Sequence, residues 1–541
     1  MLGTFIGVLA GFAGGVLYSR GKADPVQAAW FDLKRGFRAV GRTVVRASAH
    51  MAKRVRASRR WRATLVCTVL VLAPLGAMAQ QQAVNSAIVK VYSVVQHPDY
   101  FCPWRMLPSF PASGSGCVIE GNRILTCAHL VADSTFVEVR KHGDWKRYPV
   151  TVQHISHQAD LALLTVDDAR FYEGVVPLSL NGMPMSQQEV AVYGFPAGGD
   201  SLSITKGIVS RVEHQVYSHA GTTLLAAEID AAINGGNSGG PVIVDGAIVG
   251  IIMQASGKIG AMVPVPVIEH FFTDISDGQV DGCPDAGVLV QNMDSHALKD
   301  RYGMTESQTG ALVYHVSPGH HSAEVLRKGD VLLAIDKHPI ADDATVEIRP
   351  RERTLFTYFA DLKQVGETVS LDILRNGTVR TVSVRLDRQQ NSGLLVPTKE
   401  YGRRPRYTIY QGFVFTVLSL NLLEMWGNNW VKEAPPDLVD RISDYPTEER
   451  SELVILSQVL ATQSNRGYHG WGGFVVEKLD GTQVKSLKNF HTGLRESTNR
   501  FAVVENQEGL QVVIDRGMAD VDQAAVLDTY GIPEQGQWNL E

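Results

Sequence analysis

The chain is 541 residues long, 44% hydrophobic and 20% charged, an ordinary globular composition with room for about three domains. Of its 51 Lys+Arg and 56 Asp+Glu, 13 and 2 precede Gln80, so the remaining 38 and 54 leave the body of the protein near −16. That sign excludes a general nucleic-acid surface, and five cysteines exclude a disulfide-dense scaffold and offer no zinc-ligand spacing.

Residues 1–50 form an apolar and basic extension that opens with "MLGTFIGVLAGFAGGVLY", glycine-rich and slightly short for a membrane span. Residues 51–79 begin with a basic run, continue through an apolar stretch from Ala63 to Leu75 and end in Ala77-Met78-Ala79. These are the three regions of a secretory signal peptide cut before Gln80. An uncut membrane anchor is the competing reading, and a start at Met51 would explain why a signal sits so far inside the chain.

From about Ala87 to Phe272 short strands alternate with polar turns: Gly116 to Ile119, Phe136 to Arg140, Tyr148 to Ile155, Leu161 to Val166, Val190 to Gly194 and Ala247 to Met253. Such spacing predicts an all-β barrel or sandwich, closed by one helix over "VPVIEHFFTDI". Cys117 and Cys127 flank a tight turn, as two buried thiols or a cross-hairpin bridge. A second unit, 285–387, has strands at Ala311 to Val316, Val331 to Ile335 and Thr368 to Ile373 and a helix at Thr354 to Leu362. The polar stretch 388–406 reads as a linker. A third unit, 407–527, echoes the second in "VVEKLDGTQVKSLKNFHTGL", and the tail 528–541 reads as peripheral.

The stretch "EIDAAINGGNSGGPVI" sets Ser238 among four glycines, a costly choice for an ordinary strand because glycine loses the most backbone entropy on folding. "RILTCAHLVAD" puts His129 at a strand end, and "HQADLALLTV" puts Asp160 just before an apolar strand. A hydroxyl, an imidazole to take its proton and a carboxylate to fix the imidazole are the three needs of acyl-transfer chemistry. Each residue alone is unremarkable: a core imidazole, a turn carboxylate, a turn serine. The joint context carries the reading.

Together "GSGCVI", "ILTCAHLV", "ADLALL", "ITKGIVS" and "NGGNSGGPVI" resemble the chymotrypsin-like serine proteases, and more closely the HtrA/Deg family of PDZ-bearing proteases. The resemblance implies a mainly β fold, with a chymotrypsin-like double β-barrel protease domain over 80–275 followed by two PDZ-like domains. It implies the triad His129, Asp160 and Ser238, with the N–H groups of Gly236 and Ser238 as oxyanion hole. Gly235 departs from the Pro or Arg common there and loosens that loop. Ala232, Ile233 and Met253 would wall an apolar pocket suited to small or medium aliphatic residues.

The resemblance also implies C-terminal peptides bound by strand addition. In the second unit Tyr302, Gly303 and Met304 would form the carboxylate loop, and Gly310, Ala311, Leu312 and Val313 the pairing strand. In the third, Gly412, Phe413, Val414 and Phe415 would play both parts. Implied further are ATP-independent cleavage of unfolded proteins, no cofactor or metal, a homo-oligomer built from trimers and a periplasmic setting with membrane association if residues 1–79 are retained. A non-catalytic chaperone on the same fold is the competing reading. The layout is most like that of plant Deg-type enzymes.

Overall fold

The computed structural model describes residues 80–196, 199–256, 259–389 and 394–537; the expected segments 1–50 and 51–79 lie outside them. Seven strands come first: β1 (Ile88–Val95), β2 (Phe110–Ile119), β3 (Arg123–Thr126), β4 (Ser134–Lys141), β5 (Tyr148–Pro149), β6 (Thr151–Ser156) and β7 (Leu161–Thr165). They pair in the order β5-β4-β1-β2-β3-β7-β6. In β4, Val137 and Val139 are buried while Phe136 is exposed, the period-two pattern of a strand with one wet face. In β7, Leu161 to Leu164 are all buried, because both faces are covered.

Six more strands follow: β8 (Glu189–Gly194), β9 (Ser203–Tyr217), β10 (Thr222–Ile229), β11 (Pro241–Val244), β12 (Ala247–Ser256) and β13 (Ile259–Pro264). They close into a barrel in the order β10-β13-β12-β11-β8-β9. Helix α1 (Val265–Asp274), with a proline in its first turn where no N–H partner is lost, ends this region as expected. The double-barrel expectation is met only in part: one barrel closes, and the other sheet stays open, with short strand β5 and strand β6 at its opposite edges. Cys117 lies opposite Leu125 in the β2–β3 register, so it does not face Cys127, and both thiols are free and buried.

In 285–387, strands Val288–Asn292, Ala311–Val316, Val331–Ile335, Thr368–Arg375 and Thr378–Arg385 pair in that spatial order. The helix expected at Thr354 to Leu362 shrinks to Tyr358–Asp361, because Glu352–Leu355 pairs as a hairpin with Thr345–Arg349. The peptide-binding assignment fails here for a geometric reason. Ala311–Val316, which holds Ala311, Leu312 and Val313 and follows Gly310, is bonded to strands on both sides and has no free edge to offer. Tyr302 ends helix His296–Tyr302, Gly303 caps it and Met304 is buried.

The third unit fails the same expectation. Phe413–Val417 lies between Tyr407–Tyr410 and Val454–Val459, so Phe413, Val414 and Phe415 are core residues with no open edge. Gln411 and Gly412, both at positive φ, are the two-residue turn of a hairpin rather than a carboxylate loop. A second sheet (482–483, 478–479, 501–505, 511–515) and helix Leu487–Glu496 complete the unit.

Two segments expected to be loose are built in. Asp387–Arg388 pairs with Pro284–Asp285, and Leu395 and Val396 are buried, so 388–406 is not a free linker. Gly536–Gln537 pairs with Tyr407–Tyr410, so the tail is part of the sheet. The insertion after Val417 packs within the chain: its Trp426 meets Phe101 of the protease domain edge-on at 4.8 Å. Ile532 is 5% exposed, packed with Tyr407, Ile409 and Val526. Ile532→Ala is expected to cost about 2–5 kcal/mol in urea unfolding of this unit; a peripheral tail would lose no more than about 0.5 kcal/mol.

Candidate active site

His129 sits in the single turn Ala128–Leu130 directly after β3, and Asp160 immediately precedes β7. Since β3 and β7 are neighbours, the two side chains meet at one end of the sheet. His129 Nδ1 lies 3.0 Å from each carboxylate oxygen of Asp160, and the His129 backbone N–H donates to the same carboxylate at 3.1 Å. Asp160 has no exposed surface and a φ of 53°, a left-handed conformation that aspartate tolerates better than most residues. The Tyr217 hydroxyl, at the end of β9, lies 3.3 Å from His129 Nδ1 and donates to the Asp160 carboxylate.

Burial pulls the imidazole of His129 toward neutrality, but the charge and hydrogen bond of Asp160 outweigh it and leave its pKa above the ordinary 6.5. Burial pushes Asp160 upward, and the charge and bonds of His129 with the Tyr217 hydroxyl bring it below the usual carboxylate value. Both shifts favour an ion pair once the imidazole takes a proton. Cys127, His129 and Asp160 have ligand atoms within 4.8 Å of one another. The Cys127 thiol, however, donates to the Ile252 carbonyl at 3.0 Å, and burial holds its pKa far above normal. It keeps its proton, so the trio is poorly suited to a metal ion.

Ser238 lies on the loop between Ile233 and β11, against the same end of β3. Its carbonyl accepts from Ser115 N at 2.8 Å. Gly239, at φ 80°, passes so close to the chain that a Cβ would stand 2.1 Å from the Ser115 carbonyl and 2.3 Å from Thr126 Oγ1. Gly236 is also left-handed, at φ 92°. The Ser115 hydroxyl donates to the Gly236 carbonyl at 2.7 Å and accepts from Phe195 N at 2.8 Å, tying two loops to β2. Asn237, Gly239 and Gly240 have bonded N–H groups; among the described residues those of Gly236 and Ser238 do not. Ser238 Oγ makes no hydrogen bond to His129 among the described residues.

The pocket residues are spread out. Met253 is buried at a register shift in β12, Ile233 is half-buried against the barrel core, and Ala232 is exposed. Tyr217 carries no functional signal in the sequence, where it reads as one more strand aromatic. Ser115 lies within the quoted "GSGCVI", yet its bridging role depends on contacts 80 and 121 residues away.

A trypsin-like peptidase domain model matches residues 114–251 and a PDZ domain model residues 396–536. The chain is 37% identical over 465 residues to protease Do-like 4, mitochondrial, of Arabidopsis thaliana, covering 85% of this chain and 86% of that protein. The chain belongs to the HtrA/Deg family of serine proteases. It is thus a serine endopeptidase of the trypsin-like class. Protease Do-like 2, chloroplastic, of the same plant is 34% identical over 84% of this chain and 75% of its own length. Among solved structures, the HtrA-type protease AlgW with decapeptide aligns at a TM-score of 0.45 and 21% identity, covering 57% of this chain and 98% of its own. A PDZ-like domain follows the protease core; the matched one is the third unit, which the sequence marks as the more divergent.

Next to the His129–Asp160 pair this Deg protease carries a ring stack. Tyr401 lies flat on His219 at 3.8 Å and stacks on His157 at 4.7 Å. The two imidazoles share a 3.3 Å hydrogen bond, and the Tyr401 hydroxyl donates to the His219 carbonyl at 2.8 Å. Burial lowers His157 to about 4 and His219 to about 3. Histidines depressed in this way add stability that is present above pH 6.5 and is lost as pH falls toward those values, since the unfolded chain binds protons first. The melting temperature is expected to fall between pH 6.5 and 4, and His219→Phe to reduce that fall. An equal fall in both proteins would remove the stack as its source.

Proposed function

We propose that this protease cleaves peptide bonds in unfolded proteins through Ser238, His129 and Asp160. Ser238 Oγ attacks the scissile carbonyl while His129 Nε2 accepts its proton, and Asp160 holds Nδ1–H in place and balances the imidazolium. The tetrahedral oxygen is held by the N–H groups of Gly236 and Ser238, and losing one such donor costs about 3 kcal/mol of transition-state stabilisation. Collapse breaks the C–N bond, His129 protonates the leaving amine, and water then hydrolyses the acyl-enzyme by the same relay. The observation that carries this reading is a buried carboxylate on an imidazole beside a left-handed loop with two unpartnered N–H groups.

With Ala232, Ile233 and Met253 around the acyl side and no acidic residue among them, cleavage after small or medium aliphatic residues fits best, with modest discrimination. Peptide binding by strand addition belongs to Val288–Asn292, an edge strand paired on one side only. We place the protein outside the cytoplasm, supported by relatives named for mitochondria and chloroplasts, and expect homo-oligomers built on trimers. No helix among the described residues is long and apolar enough to cross a membrane.

Residues 80–541 and their Ser238→Ala variant, incubated with reduced casein and read by mass spectrometry, test the chemistry. Wild type alone should cut, after Val, Ala or Ile; equal cutting by both would remove Ser238 as nucleophile. Asp160→Asn is expected to lower kcat by about 10⁴ with the fold retained. Because Asp160 raises His129, the acid limb of kcat/KM should have its midpoint above pH 6.5; a midpoint below it would contradict the ion pair.

A further inference from the structure

We propose that the third unit completes the leaving-group side of the active site, forming with the protease domain a subsite for a large apolar or aromatic side chain just after the scissile bond. This rests on the triad reading above and extends it to the substrate.

A cavity of about 490 Å³ reaches His129 and is walled by both parts of the chain. Val95, Tyr100, Leu107 and Phe110 come from the protease domain, Tyr401 and Met425 from the segment that leads into and through the third unit. Neither Ser238 nor Ala232, Ile233 or Met253 lines it. The imidazole hands its proton to the departing amine, so the chain beyond the scissile bond lies on the imidazole side, away from the nucleophile and the acyl pocket. The cavity occupies that side.

Its chemistry selects the occupant. Phe110 is part of its wall and is 44% exposed, and the carboxylates on it already have partners. Asp133 accepts from His97 Nδ1 at 2.8 Å and from Gly402 N at 2.5 Å, and Glu424 pairs with Lys399 at 2.9 Å. The His219 ring is covered by Tyr401 and stays neutral. A charged side chain entering here would lose water and compete with the hydrogen bonds and ion pair those carboxylates already make, whereas an apolar one gains its buried area. The far wall is braced: Asn421 exchanges two hydrogen bonds with the Glu400 backbone at 2.8 and 2.9 Å, and Trp426 rests on Phe101.

The test uses residues 80–541 with a randomised peptide mixture, mass spectrometry of the cut sites and, in parallel, fluorophosphonate labelling of Ser238. Phe, Leu or Met should be enriched at one of the first three positions after the cut. Met425→Arg and Phe110→Arg should each lower that enrichment by ~10-fold, while Val431→Arg, on the same insertion but 59% exposed, should keep it. The two test substitutions lie on different units, so a folding failure in one leaves the other to decide. A flat profile after the cut, or one unchanged in both variants, overturns the subsite while wild-type labelling that Ser238→Ala abolishes leaves the protease reading standing. Absence of wild-type labelling overturns that reading and the subsite with it.

Discussion

A carboxylate with no exposed surface is among the more expensive things a fold can contain, and the active site depends on meeting that cost at Asp160. Three donors do so: the His129 ring, the His129 backbone N–H and the Tyr217 hydroxyl. They come from two places: the turn after β3, which holds His129, and the end of β9. β3 and β9 belong to different sheets. Of the three donors only the Tyr217 hydroxyl comes from the closed barrel, so docking of the two halves completes the satisfaction of a carboxylate that the open sheet already sets against His129.

The same economy shapes the loop that carries Ser238. Ser115 stands in β2 of the first sheet and holds the Gly236 carbonyl, a Phe195 N–H and, through its own N–H, the Ser238 carbonyl. The Gly236 carbonyl is turned toward Ser115, and among the described residues the N–H groups of Gly236 and Ser238 have no partner. The glycines at 236 and 239 suit a loop that turns left-handed at both positions, and at Gly239 it also touches backbone where no side chain fits.

Much of this was legible in the sequence, and the reason is locality. His129, Asp160 and Ser238 sit in short motifs whose residue types follow from chemistry, and most protease strands announce themselves by alternation and turns. The strand edges were not legible. Ala311–Val316 and Phe413–Val417 look like exposed recognition strands because their glycines and aromatics resemble such loops, yet sheet order makes both interior. Sheet order is a non-local property that no window of residues encodes. The tail and the polar stretch after Gln389 misled for the converse reason: short, weakly patterned segments gain their order from the partner they pair with. Tyr217, Ser115 and the His157–Tyr401–His219 stack were hidden for the same cause, since each is defined by contacts tens to hundreds of residues away.

The clip between Pro284–Asp285 and Asp387–Arg388 has a consequence for how the chain is laid out. The middle unit enters and leaves through one two-residue gate, and it also packs on the protease domain: Thr354 Oγ1 accepts from His214 N at 3.0 Å, Asp361 meets His214 Nε2 at 2.7 Å and the His270 ring meets the Lys363 carbonyl at 2.8 Å. The protease domain and the third unit are thereby made neighbours across that gate, and Tyr401 reaches His219 without any contribution from the intervening unit. Motion of the middle unit acts on the protease domain through β9 and α1, which carry His214 and His270, as well as through the gate.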